Sequence, residues 1–203
     1  MRREILKIEA LQSWHSAELR TLTEQILEKF KSLEELTNMD EKHRIMGSVC
    51  GSVPNLDGMH KYLSGEVLND EVPGEIKGQF NVAKNMAIYS FFFYALAPEV
   101  NLKTYTVIEH ALRIRVKSKK WMALNNLVEY AVAQGWITDS GFRHIENSNP
   151  NNEWCKHLAK TISSLRNSKA HGSSMLDGDC LHHITLCADF INQLFPAGRT
   201  HSN

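Results

Sequence analysis

The chain is 203 residues long, carries 23 Lys and Arg against 23 Asp and Glu, and is 42% hydrophobic. That length holds one domain, or one domain with an extension, and buries a proper core without needing a disulfide or a metal. The cancelled charge excludes long-range attraction to nucleic acid, so any RNA contact has to be a local basic patch. Cys50, Cys155, Cys180 and Cys187 have no C-x-x-C spacing and read as reduced thiols. The N-terminus, Met1-Arg2-Arg3-Glu4-Ile5-Leu6-Lys7, lacks the uninterrupted apolar segment of a signal sequence, which predicts a cytoplasmic protein.

In chain order, Leu19, Leu22, Ile26, Phe30 and Leu33 recur at three and four residues and predict a first helix over 16–37, capped by Ser16. From Gly47 to Gly78 six glycines and two prolines predict loops and short turns, and their spacing fits no phosphate-binding loop. Met86 to Ala97 is apolar on nearly every side and stops at Pro98. It is too short to span a bilayer and reads as a central buried helix, with surplus aromatic surface for a homodimer. Helices follow over Leu102–Lys117, with Tyr105, Ile108, Ala111 and Leu112 inward, and over Trp121–Gln134, with Leu124, Leu127, Val128 and Ala131 inward and Gly135 as the stop. Asp139 to Asn147 predicts a short helix through Phe142 and Ile145. Leu181, Ile184, Ala188, Ile191 and Phe195 predict the last helix, capped by Asp177 or Asp179 and ended by Pro196. No segment shows sustained strand alternation. The expected fold is all-α, an up-and-down helical bundle over 78–196, with an N-terminal helix and Gly-rich connection over 1–77 and a tail over 197–203.

The chemistry-bearing stretch lies between the last two amphipathic helices. Trp154, Leu158, Ile162 and Leu165 mark one apolar face of a helix capped by Asn151 or Asn152 behind Pro150. That helix delivers Arg166 and Asn167 to its last turn, with His171 just beyond. In a continuous helix Arg166 and His171 stand about 140° apart, whereas Asn167 and His171 share a face. A helix ending near Ala170, with Gly172 as a left-handed stop, lets His171 turn out of register beside Arg166. Upstream, Arg113, Arg115, Lys117, Lys119 and Lys120 put five cations in eight residues, enough to contact RNA phosphates. Each feature also has a plainer reading. Arg166 complements a helix C-terminus, His171-Gly172 is a capping turn, Glu109 pairs with Arg113 four residues on, and the cations are a solvated helix end. Cys155-x-His157 and Cys180-x-His182-His183 with Cys187 invite zinc, but on a helix Cys155 and His157 stand about 200° apart and Cys180 shares the core side of Ile184, so no metal is expected.

Arg166-Asn167-x-x-x-His171 follows Tyr105-Thr106-Val107-Ile108-Glu109-His110-Ala111-Leu112-Arg113-Ile114-Arg115 and the segment from Leu124 to Ile137. In this order it resembles the Arg-x-x-x-x-His signature and the helical core of the bacterial HEPN (higher eukaryotes and prokaryotes nucleotide-binding) family, over residues 78 to 196. The resemblance implies an endoribonuclease of the toxin, defence or RNA-processing type that needs no metal and no cofactor. His171 is then the acid or base, Arg166 stabilises the phosphorane, Asn167 fixes the His171 ring and Glu109 steers Arg166 from a neighbouring helix. It also implies a homodimer with a composite site, and an antitoxin or regulatory protein as a further partner. Some members carry a Tyr two residues after the His, where a nucleotidyltransferase modifies it; Ser173 stands there, so that route is not expected. The alternative is a non-catalytic HEPN-like helical module that binds nucleotide, RNA or a partner protein.

Overall fold

A computed structural model describes residues 28–51, 53–118, 120–148, 150–170 and 179–198, apart from the side chains of Met46, Val49, Cys50 and Lys169. The chain divides into two compact units, Met1–Asn38 and Met39–Asn203. Of the first helix predicted over 16–37, residues 16–27 lie outside the described residues. Residues 28–37 are not α-helical: they hold only a 3-10 turn at Glu35–Thr37. The reason is a start signal inside the predicted helix, because the Ser32 N–H donates to the Glu35 carboxylate at 2.8 Å, as in a capping box. Phe30, placed on the inward stripe by periodicity, is 103% exposed.

The second unit is an all-α helical bundle, and its described residues contain no strand. Its helices are α1 (Glu41–Cys50), α2 (Leu56–Gly65), α3 (Gly74–Tyr89), α4 (Ala97–Val116), α5 (Leu124–Ala133), α6 (Glu153–Ala170) and α7 (Cys180–Leu194). The Gly-rich stretch expected to be loops holds two of them. Asp40 caps α1 by accepting the Lys42 N–H at 3.0 Å, and Asn55 caps α2 by accepting the Gly58 N–H at 2.7 Å. At position 58 a Cβ would lie 3.1 Å from the capping Asn55 oxygen, so a larger residue there would have to push that side chain aside by a few tenths of an ångström. Leu63 and Val72 enter the core, so the compact unit begins at Met39 and not near residue 78.

The buried helix predicted to run through Met86 to Ala97 is also displaced. Ile76, Phe80, Ala83 and Ala87 carry the inward stripe of α3, which ends at Tyr89. A turn and a 3-10 segment, Tyr94–Leu96, follow. Buried Asp40 sets this corner: its backbone N–H donates to the Phe91 carbonyl at 2.9 Å, and its carboxylate accepts the Tyr94 N–H at 3.1 Å. His43 donates from Nε2 to the Ser90 carbonyl at 2.8 Å, with its ring against Phe91 and Tyr94. Pro98 therefore does not stop a helix. It sits in the first turn of α4, where the missing N–H costs nothing.

Helix α4 is the one around which the others pack, with α3, α5, α6 and α7 all against it. Val100, Thr104, Val107 and Ala111 bury one side and Asn101, Tyr105, Ile108 and Leu112 the adjoining one. The inward residues predicted for α4 and α5 are all buried. Gly135, at φ 67°, closes α5 in the left-handed conformation that glycine adopts without strain. The short helix expected over 139–147 is only a 3-10 turn, Asp139–Gly141. In α7 the inward face is as predicted at Ile184, Ala188 and Ile191, but Asp179 makes no side-chain capping bond, and Asp177 lies outside the described residues.

Candidate functional site

The start of α6 is held from a distance in sequence. Asp139 accepts the Cys155 N–H at 3.0 Å and the Trp154 N–H at 3.2 Å, while its own N–H donates to the Asn152 side chain at 3.0 Å. Burial works to raise the Asp139 carboxyl, but the Cys155 and Trp154 donors win and hold it below the usual carboxylate range. The same burial, with Asp139 beside it, pushes the Cys155 thiol far up, so it is an inert core thiol. Sequence periodicity placed Trp154, Leu158, Ile162 and Leu165 inward, yet the buried stripe of α6 is Cys155, Ala159 and Ile162. Trp154, Leu158 and Leu165 instead line a cavity of about 380 Å³ between α4, α6 and α7, which Tyr105, Ile108 and His183 complete.

At the other end α6 runs to Ala170 and carries Arg166 in its last turns, against α4. The Arg166 guanidinium lies 3.8 Å from the Glu109 carboxylate, across 57 positions of sequence. The other oxygen of that carboxylate accepts from Arg113 at 2.5 Å. Glu109 is thus shared: the pairing with Arg113 and the reach toward Arg166 exist together. The Glu109 side chain is only 20% exposed, which keeps water from screening either pair as it would at an open surface. Arg166 also donates from Nη1 to the Asn167 side-chain oxygen at 3.1 Å, and its Nε is buried with no hydrogen-bond partner among the described residues. Asn167 thereby serves Arg166 itself. His171 lies outside the described residues, and so does Gly172.

Of the basic segment's cations, Arg113 and Arg115 take separate aromatic partners. Arg113 points toward Glu109, donates to the Met122 carbonyl at 3.2 Å and stands over the Trp121 ring at 5.9 Å. Arg115, two residues on, stacks at 4.8 Å on Trp136. Lys117 caps α4 in the left-handed conformation, φ 52°, and its side chain is exposed, as is that of Lys120; Lys119 lies outside the described residues. No group of three or more His, Cys, Asp or Glu among the described residues could hold a metal ion, and Cys155, Cys180 and Cys187 are buried, reduced thiols. No helix among them is long and apolar enough to cross a membrane.

Sequence reasoning missed the strongest polar cluster of the fold. Arg143 donates to both Glu66 oxygens, at 2.5 and 3.2 Å, and from Nε to Asp189 at 2.7 Å. Its own N–H donates to the second Asp189 oxygen at 3.0 Å. Thr185 donates to Glu66 at 2.9 Å and Tyr62 donates to Thr185 at 2.6 Å. Glu66 and then Asp189 hold the Arg143 proton more tightly than usual, so the guanidinium is always charged. The three charged residues come from separate elements and share no spacing. The one sequence signal was Asp189 standing within the apolar run from Cys187 to Ile191. Through these hydrogen bonds the cluster joins α2, the loop after α5 and α7 and reads as a staple.

Comparison with family models, with curated proteins and with solved structures finds no match to this chain. What the chain itself defines is an all-α helical bundle in which two arginines from different helices converge on one partly buried carboxylate.

Proposed function

We propose that the chain is a metal-independent endoribonuclease of the HEPN type, built on Arg166 and His171. The observation that carries the reading is the Arg166–Glu109 approach at 3.8 Å, which fixes a half-exposed guanidinium at the end of α6, next to the segment that bears His171. In the proposed reaction the ribose 2′-oxygen bonds to the adjacent phosphorus as the bond from phosphorus to the 5′-oxygen breaks. A base takes the 2′-hydroxyl proton and an acid returns one to the leaving 5′-oxygen, tasks suited to an imidazole near neutral pH. Arg166 meets the charge that builds on the non-bridging oxygens with a rigid, two-pronged donor. Glu109 keeps that donor aimed and, by sharing itself with Arg113, leaves the pair of arginines with a net positive charge. One imidazole serves poorly as base and acid in one step, so the site is completed by a second copy of the chain, giving two His171 and two Arg166 in one cleft.

A second reading is favoured by one observation. The aromatic-lined cavity begins at Leu165, one residue before Arg166, and is large enough for a small planar ligand; a module that holds nucleotide without cutting RNA would use the same face. The test is product chemistry. Purified protein in EDTA should cut single-stranded RNA to 2′,3′-cyclic phosphate and 5′-hydroxyl ends and spare a strand with 2′-deoxyribose at the cleavage position. Nucleotide binding with every RNA left intact would establish the second reading.

A further inference from the structure

Trp121 is 79% exposed, although an indole is among the side chains that gain most from burial. It is not an isolated apolar residue on a polar surface. The Arg113 guanidinium stands over its ring at 5.9 Å, and Lys120 precedes it in the chain. Arg113, Ser118, Lys120 and Trp121 also border a small cavity of about 170 Å³. From Trp121 a continuous path of contacts runs to the proposed reaction site: Trp121 to Arg113, Arg113 to the Glu109 carboxylate at 2.5 Å, and that carboxylate to Arg166 at 3.8 Å. An aromatic face backed by a cation, with further cations beside it, is the arrangement that holds single strands: cations track the phosphates while an unpaired base stacks on the ring.

We infer that Trp121 is a stacking platform for an unpaired base of single-stranded RNA, holding the strand so that its backbone passes Arg113 toward Arg166. The inference rests on the RNA reading of the Arg166 site and adds the residue that holds an unpaired base of that strand. A protein partner would also cover an exposed indole. Arg113 over the ring and Lys120 at the same small cavity favour the polyanion.

The test separates binding from cleavage. A labelled 2′-deoxy single strand of about twelve nucleotides, which offers bases and phosphates but no attacking hydroxyl, is titrated by fluorescence anisotropy against the full chain. Trp121→Ala should weaken binding by roughly 5- to 100-fold, Trp121→Phe by only a few-fold, and neither should change the slope of log Kd against log salt, since no phosphate contact is lost. Lys120→Ala should instead lower that slope by about 0.7. Duplex of the same sequence, whose bases are not free to stack, should bind wild type and Trp121→Ala alike. Trp121→Ala binding within twofold of wild type, or weakened equally for duplex, would overturn the platform even if the protein cleaves RNA. Trp121-dependent single-strand binding by a protein that cleaves nothing would keep the platform and sink the nuclease. If no strand binds at the micromolar concentrations typical of non-specific contact, Trp121 belongs to a protein interface and the inference fails.

Discussion

Arg143→Ala isolates the energetic weight of the Glu66–Arg143–Asp189 staple. The Glu66 and Asp189 side chains are 6% and 7% exposed, so removing the guanidinium leaves two nearly buried carboxylates without the cation they share. Breaking a buried pair by deleting one partner costs about 3 to 5 kcal/mol, and the 55% exposure of Arg143, which lets water replace it in part, argues for the lower end. For a chain of this length about 3 kcal/mol lowers the melting temperature by roughly 6 to 12 °C. Calorimetric melting at neutral pH reads it. Adding Glu66→Gln to Arg143→Ala should return part of the loss, because one unpaired charge is gone. A melting point within about 2 °C of wild type, or a double variant no better than the single, would show the carboxylates to be well solvated and the staple incidental.

Asp139→Asn should destabilise the chain by about 1 to 3 kcal/mol at neutral pH, since the Cys155 and Trp154 N–H groups at the start of α6 lose a charged acceptor. The Asp139 carboxyl sits below its ordinary range in the folded chain, so its contribution is present above the unfolded value near 4 and disappears as pH falls through the lower folded value. Urea melts of wild type and Asp139→Asn should therefore converge in acid, and a gap that stays constant would rule the carboxylate out as the cause. Glu109→Gln should lower kcat for RNA cleavage by about ten- to a hundredfold while KM stays or falls, because Arg166 is freed from its counter-charge but no longer aimed. A raised KM with unchanged kcat would mean that Glu109 orders only the RNA-binding arginines.

The fold class was legible because its signal is repeated: the three-and-four spacing of α4, α5 and α7 is the spacing of their buried faces. Boundaries failed where a local polar contact outweighed composition. The glycines of 47–78 suggested loops, but Asp40 and Asn55 each cap a helix through them. Pro98 suggested a stop and is a start, which depends on where Asp40 pins the preceding turn. In α6 the stripe was read about one position off, since the cavity between α4, α6 and α7 leaves Trp154, Leu158 and Leu165 only partly covered and a large apolar side chain looks the same in sequence whether it fills a core or lines a pocket. Within the site, the neighbourhood of Arg166 and Glu109 was legible only through an ordered motif, and the separate partners of Arg113 and Arg115 were not legible because a string of letters does not display the roughly 200° between positions 113 and 115 on a helix. The Arg143 staple was beyond reach, as its members meet only once the bundle has closed.

The central claim is that Arg166 and His171 carry phosphodiester cleavage, and the measurement that bears on it most directly is single-turnover cleavage of single-stranded RNA in EDTA by wild type, Arg166→Ala, Arg166→Lys and His171→Ala, with melting temperatures recorded beside the rates. Wild type should cut. His171→Ala and Arg166→Ala should each lose about a hundred- to ten-thousandfold in rate, Arg166→Lys should recover little because an ammonium lacks the planar fork, and all four should melt within a few degrees of one another. A wild type that cuts no RNA offered, together with a His171→Ala variant that unfolds, would contradict the account and leave His171 as the cap of α6.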